Sequence, residues 1–195
     1  MAPSFCIELD AGQRRRLLGI ARQSIDQGLA GDGLLQVPVA DLAKALQAQL
    51  GVFVTLSRDN ALRGCIGSMQ SAQALAQSVA ESAYNAAFQD PRFPRLAAHE
   101  VDALEIDISV LSALEPIRVS SRQELLDLLQ PGLDGLLLED RHHRSTFLPK
   151  VWEQLPDPAH FLDQLLTKAG LTERHWSATI RFQRYHTVSF SAAAR

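Results

Sequence analysis

The hydrophobic positions along the chain predict five helices. In each of these stretches apolar residues recur every three or four positions, which is the spacing of an amphipathic helix. Asp10, Ser71, Ser121 and Asp157 are suitable N-cap residues, and Gly170 lies where the last pattern stops. The predicted helices cover residues 10–28, 39–50, 71–89, 121–130 and 157–169.

Six other stretches alternate apolar with polar residues or are rich in β-branched residues, as strands are. Turn chemistry at Asp59 and Asn60 joins the first two into a hairpin, and a polar turn over residues 140–144 joins the fourth and fifth. Because hairpins are mixed with segregated helices, we expect an α+β fold with largely antiparallel sheets. The predicted strands cover residues 52–56, 61–66, 104–110, 136–139, 145–148 and 180–190.

Composition and charge narrow the function classes. The chain has 195 residues, of which 46% are hydrophobic and 21% charged, and its formal net charge is −3. These values are typical of one globular domain spanning residues 1–195, and they disfavour binding to nucleic acid. No signal peptide and no apolar stretch of membrane-spanning length is visible, so we expect a cytoplasmic protein without membrane contact.

Cysteine spacing argues against metal and redox centres. Cys6 and Cys65 are far apart in the sequence and form no C-x-x-C pair, so neither a zinc knuckle nor a dithiol centre is indicated. The histidines are scattered, apart from His142 and His143, which fall on a predicted turn and are better explained as solvated residues. We therefore expect no metal and no cofactor, and free thiols in a reducing compartment.

The segment Leu62-Arg63-Gly64-Cys65-Ile66-Gly67, hereafter the hexapeptide, is the most specific chemistry in the sequence. On a regular strand Arg63 and Cys65 point to the same face, where a guanidinium can stabilise a thiolate. Gly64 and Gly67 allow close approach of backbone or ligand. The alternative is that Cys65 is a small buried core residue, the commonest fate of a free cysteine.

Two further pairs of residues have the same ambiguity. Arg92 and Phe93 stand between two prolines after a predicted helix, where a rigid loop can present a guanidinium and a ring to a ligand, or can simply end the helix. Glu105 and Asp107 share one face of a predicted strand, where they could share a proton or bind a cation, although the alternating pattern first indicates a solvated face.

Several stretches of the chain resemble the AMMECR-domain family, whose bacterial and archaeal members are called AmmeMemoRadiSam system protein A. They occur in family order across nearly the whole chain, and the hexapeptide combined with the D-P-R-F run is the most specific of them. The chain departs from the family pattern at Lys150, where glutamine is usual, and in the turn holding His142 and His143. The similar stretches are residues 51–56, 62–67, 86–93, 109–112, 134–135 and 168–171.

The resemblance implies a two-lobed α+β protein with a cleft near the hexapeptide. It also implies that the protein works beside a Memo-type protein and a radical SAM protein. Two functions stay open. In one, Cys65 is a nucleophile, Arg63 and Arg92 hold an anionic group, Phe93 lines the site, and Gly64 and Gly67 admit the ligand. In the other, a non-catalytic binding or adaptor module presents the same cleft to a small molecule or peptide.

Overall fold

The computed structural model of the protein describes residues 7–192. Cys6 therefore lies outside the described residues. The chain forms two compact units, one built from Ile7–Leu111 with residues 188–192 and the other from Ser112–Thr187. Among residues 7–192, no helix is both long and apolar enough to span a lipid bilayer.

The structure has five α-helices and eight strands over residues 7–192. The helices are α1 (Ala11–Ala30), α2 (Lys44–Gln47), α3 (Leu75–Phe88), α4 (Arg122–Leu128) and α5 (Pro158–Lys168). The strands are β1 (Gly51–Arg58), β2 (Ala61–Ser68), β3 (Leu104–Leu111), β4 (Glu115–Ile117), β5 (Gly135–Asp140), β6 (His143–Phe147), β7 (Arg181–Tyr185) and β8 (Thr187–Ala192). Short 3-10 helices cover Ala98–Ala103 and Pro149–Glu153.

The first unit is a four-stranded sheet packed against α1 and α3. Its strand order is β2-β1-β3-β8, so β2 is an edge strand. The strand β1 pairs antiparallel with both of its neighbours, β2 and β3. Alternate residues of β1 and β3, including Val54 and Ile108, are fully buried in one cluster with the helices. The packed face of α3 is made largely of alanines, which lets the helix lie close to the sheet.

The second unit has its own sheet and core. Its strand order is β4-β7-β5-β6, and the pairings β4–β7, β5–β7 and β5–β6 are antiparallel. Leucines of α4, α5 and β5 surround Phe161, and the Trp152 ring stacks on Phe161 with the ring centroids 3.7 Å apart. Each unit thus buries a separate apolar cluster.

The predicted α+β class with antiparallel sheets is confirmed, whereas three element boundaries are wrong. Only Lys44–Gln47 of the expected helix over residues 39–50 is helical. Ser71 does not cap α3, since its hydroxyl instead accepts the backbone N–H of Gln73 in a turn, and the helix begins at Leu75. The expected strand over residues 180–190 is two strands, β7 and β8, which belong to different sheets.

Candidate functional site

The hexapeptide lies on β2, at the edge of the first sheet. Because β1 pairs with only one side of this strand, the outward backbone groups need other partners. The N–H of Cys65 donates to the Asp90 carboxylate at 2.9 Å, and the Cys65 carbonyl accepts from Nη2 of Arg92 at 3.2 Å. Side chains from the segment that follows α3 therefore provide hydrogen-bond partners for both outward backbone groups of Cys65.

Asp90 is the centre of this attachment. Its side chain is 2% exposed, and besides the Cys65 N–H it accepts the Arg92 backbone N–H at 3.1 Å and the Arg92 guanidinium at 2.7 Å and 2.9 Å. Hydrogen bonds from the Arg92 side chain, followed by those from the two backbone N–H groups, hold the pKa of Asp90 well below its usual range despite burial. The Asp90 carboxylate is thus a buried, fully used acceptor.

A second buried carboxylate holds the other arginine of the hexapeptide. Arg63 donates Nε and Nη2 to the two oxygens of Glu100 at 2.7 Å and 3.0 Å, and Glu100 also accepts the Ala97 N–H at 2.8 Å. The hydrogen bond from Arg63 lowers the pKa of Glu100 to about 2 against the opposing effect of burial. Because the Arg63 side chain is only 12% exposed, its charge is already used inside the fold.

Phe93 lies beside both arginines. Its ring centroid is 6.0 Å from the Arg63 Cζ and 5.5 Å from the Arg92 Cζ. The structure therefore brings Arg63, Cys65, Arg92 and Phe93 close together, and their roles in catalysis or ligand binding stay predictions. Only Arg92 of these two arginines is well exposed, with 53% of its side chain accessible to solvent.

The thiol of Cys65 is partly exposed and has one hydrogen bond among the described residues. The Thr55 hydroxyl donates to Sγ at 3.3 Å. Thr55 lies on β1, directly opposite Cys65 of β2 on one side and Asp107 of β3 on the other. Residues directly opposite each other share one face of a sheet, so Cys65, Thr55 and Asp107 form a polar row across three strands. Within residues 7–192, no hydrogen bond joins the thiol to a histidine.

Close packing explains both glycines of the hexapeptide. A Cβ added at Gly64 would lie 2.1 Å from the carbonyl oxygen of Ala86 on α3, and one added at Gly67 would lie 2.2 Å from the carbonyl oxygen of Val52 on β1. Neither position can hold a larger residue without moving backbone. Gly64 is therefore required for the approach of β2 to α3, and its predicted contact with a ligand stays a prediction.

A pocket of about 320 Å³ adjoins the end of the hexapeptide on the α3 side. Ile66 and Gly67 line it, together with the loop after β2 and one face of α3. The side chains of Arg63, Cys65, Arg92 and Phe93 are not among its lining residues. A cleft that contains Cys65 therefore stays a prediction.

The remaining sequence candidates lie elsewhere. His142 is exposed in the turn between β5 and β6, and the Nδ1 of the exposed His143 lies 2.8 Å from the carbonyl oxygen of Ala169. Glu105 is exposed, whereas Asp107 is half-buried and has other interactions within the fold. No group of three His, Cys, Asp or Glu side chains in the described part of the chain is arranged to hold a metal ion.

Sequence reasoning missed Asp90 and Glu100, the two carboxylates that organise the site. Asp90 opens the D-P-R-F run, where the sequence by itself indicates only the end of a helix. A buried carboxylate requires charge-assisted partners, so an aspartate beside an arginine after a helix is a usable signal. Glu100 gives no such local signal, because it lies 37 residues from its partner Arg63.

Comparison with known proteins gives consistent matches along the chain. A sequence model of the AMMECR1 family matches residues 18–190. A protein of Methanothermobacter thermautotrophicus is 37% identical over 164 residues, which are 84% of this chain and 85% of that protein. A protein of Saccharolobus solfataricus is 34% identical over 194 residues, covering 94% of this chain and 83% of that one.

A solved structure also matches. The crystal structure of the uncharacterized protein PH0010 from Pyrococcus horikoshii superimposes with a TM-score of 0.83 at 30% sequence identity. The match covers 92% of this chain and 91% of the other. The similarity therefore extends over both the sequence and the fold.

Proposed function

The chain belongs to the AMMECR1 family, and we propose that it acts on or with a small anionic ligand through Cys65. Cys65 is the reactive group in this proposal, and Arg92 is the group that contacts the anion. The supporting observation is their proximity: Nη2 of Arg92 lies 3.2 Å from the carbonyl oxygen of Cys65. A half-exposed guanidinium is thereby held beside a partly exposed thiol.

The chemistry of the two groups supports this pairing. The thiolate is the nucleophilic form of cysteine, and positive charge and hydrogen-bond donors stabilise it. The Thr55 hydroxyl supplies a donor at 3.3 Å from Sγ, and Arg92 supplies positive charge nearby. Nη1 of Arg92 has no hydrogen bond within residues 7–192, so its two N–H donors are available to a carboxylate or phosphate.

The structure changes the role that we assign to Arg63. Its two hydrogen bonds to Glu100 are bidentate, and the pair is nearly buried, so the Arg63 charge is neutralised inside the fold. We assign Arg63 to positioning: it fixes β2 and packs beside the Phe93 ring. Arg92 differs in its exposure, since 53% of its side chain is accessible to solvent against 12% for Arg63.

Alkylation with two reagents of different charge tests the proposal. Iodoacetate is an anion and iodoacetamide is neutral, and both alkylate the same thiolate. In a Cys6→Ser background, we expect the ratio of the iodoacetate rate to the iodoacetamide rate to be higher for folded protein than for the unfolded chain. The Arg92→Gln variant should lose this preference, whereas Arg92→Lys should keep it.

Arg95 offers a matched control for this experiment. It is an exposed arginine in the same loop, and its Cζ lies 5.2 Å from the Phe88 ring centroid. Arg95→Gln should leave the reagent preference unchanged. A preference that is absent in the parent protein, or that falls equally in the Arg92 and Arg95 variants, contradicts the role of Arg92.

The non-catalytic alternative predicts a different outcome with ligands. One result would support this alternative: Cys65→Ser binds an anionic ligand as tightly as the parent protein, and the parent protein does not convert that ligand. The protein would then bind the ligand without reacting with it. Turnover that Cys65→Ser abolishes would show an enzyme, provided that the variant still folds.

We also propose, from the resemblance to AmmeMemoRadiSam system protein A, that the protein works with a Memo-type protein and a radical SAM protein in the cytoplasm. Co-purification of tagged protein from its native source tests this association. Recovery of either partner under gentle conditions supports it. Abundant tagged protein with neither partner contradicts it.

A further inference from the structure

The pocket beside the end of β2 is separate from the thiol. It lies between β2, the loop over residues 69–74 and α3, whereas Cys65 belongs to the polar row on the other face of the sheet. Its volume of about 320 Å³ is at the small end of the range of small-molecule sites. Its lining includes Ile66, Gly67, Ala72, Glu81, Ser82 and Asn85.

A serine hydroxyl that has no hydrogen-bond partner within the described chain lines this pocket. Ser82 is only 7% exposed, yet its hydroxyl has no hydrogen bond to any other of the described residues. The neighbouring Ser78 hydroxyl, by contrast, donates to the Ser71 hydroxyl at 2.8 Å. A serine hydroxyl can both donate and accept hydrogen bonds, so Ser82 is suited to bind a polar group that enters the pocket.

The edge of β2 adds a backbone donor and acceptor. In an antiparallel pair, alternate residues direct their N–H and C=O groups away from the partner strand. Cys65 does so, because its two backbone groups bind Asp90 and Arg92. Gly67, two residues further on, has the same orientation and lines the pocket, so its backbone groups face the space that Asp90 and Arg92 do not fill.

The charge of the residues that line the pocket indicates which charge a ligand should carry. Glu81 is the one ionisable side chain among the lining residues, and there is no lysine or arginine. Nε2 of Gln73 donates to Oε2 of Glu81 at 2.9 Å, which leaves Oε1 for another donor. A negative carboxylate without a basic partner disfavours anions and favours an ammonium group.

We propose that this pocket binds a small primary amine that also carries an amide or hydroxyl group, of about the size of an amino-acid amide. The ammonium group pairs with Glu81, and the polar remainder hydrogen-bonds the Ser82 hydroxyl and the backbone of Gly67. Ile66 and Ala72 contact a short apolar side chain. This site is independent of the reaction that we assign to Cys65.

Titration of ¹⁵N-labelled full-length protein with alaninamide, followed by NMR, tests the proposal. We expect saturable shifts centred on the amides of Gly67, Ser82 and Asn85. N-acetylalaninamide, which keeps the amide but lacks the ammonium group, should bind at least about tenfold more weakly, since a charge-assisted hydrogen bond is lost. Alaninamide should bind Cys65→Ser as tightly as the parent protein.

Two variants and one control locate the contacts. Glu81→Gln and Ser82→Ala should each weaken alaninamide binding by about fivefold or more, and the same spectra show whether each variant folds. Glu105→Gln, which changes an exposed carboxylate on β3, should bind alaninamide normally. Shifts that do not saturate, equal binding of the acetylated compound, or normal binding by folded Glu81→Gln would overturn the proposal.

Discussion

The carboxylate of Asp90 accepts the backbone N–H of Cys65 at 2.9 Å, which attaches the edge of a sheet to the segment that follows α3. An edge strand with free backbone groups can pair with other chains, so a side chain that occupies such a group also protects the edge. The same carboxylate holds Arg92, so one buried side chain both positions the strand carrying the thiol and orients the guanidinium beside it.

Asp90→Asn should lower the free energy of unfolding by about 3 kcal/mol, because a buried acceptor of four hydrogen bonds loses its charge and presents an amide to donors. Urea denaturation measures this change. Asp41→Asn, which alters an exposed aspartate, serves as the control and should shift stability by less than about 0.5 kcal/mol. Equal effects of the two substitutions would contradict the role of Asp90.

Gly64→Ala should destabilise the protein by about 1–3 kcal/mol, because the new Cβ would lie 2.1 Å from the Ala86 carbonyl oxygen and backbone must move. Gly19→Ala is a matched control on α1, where an added Cβ meets no atom within 4 Å. That substitution should stabilise the helix by about 0.5–1 kcal/mol. Thermal or urea unfolding of both variants distinguishes the two signs, and a stabilising Gly64→Ala would show that β2 and α3 are not in close contact.

Acid should remove the stabilisation that Glu100 provides. The pKa of Glu100 is about 2 in the folded protein, below the ordinary value of about 4.3 expected in the unfolded chain. Its contribution is therefore present above about pH 4 and is lost as the pH falls towards 2. The difference in unfolding free energy between the parent protein and Glu100→Gln should shrink over this interval when measured by urea denaturation.

The matched control for this measurement is Glu105→Gln, which alters an exposed carboxylate of β3. Its difference from the parent protein should stay small at every pH. A Glu100→Gln difference that is constant between pH 5 and pH 2, or that grows on acidification, would be inconsistent with the Arg63–Glu100 pair.

Local signals in the sequence predict most of the elements but not where each ends. Alternation over residues 104–110 and caps such as Asp157 act through neighbours in the chain, and β3 and α5 confirm them. The pattern over residues 180–190 is equally regular, yet the chain leaves one sheet after Tyr185 and enters another at Thr187. Period alone does not identify the sheet to which a strand belongs.

In the candidate site too, the sequence predicts the parts that are continuous along the chain but not the contacts between distant residues. The hexapeptide and the D-P-R-F run are continuous in sequence, so they could be recognised before the structure was known. Glu100 could not, because its role depends on a fold that brings it to Arg63 from another part of the chain. The pairing of Arg63 with Glu100 is therefore a property of the tertiary structure. Because this pairing neutralises Arg63, we propose an anion contact for Arg92 alone.

The rate of alkylation of Cys65 in folded protein tests the central proposal most directly. In the Cys6→Ser variant, iodoacetamide should modify Cys65 at pH 7 faster than it modifies the unfolded chain, because the Thr55 hydroxyl donates to the partly exposed sulfur and the Arg92 guanidinium is bound at the same residue. Mass spectrometry follows the modification, and Cys65→Ser measures the reaction at Cys6. If Cys65 reacts only after unfolding, it is a packing residue and the proposed thiol chemistry is wrong.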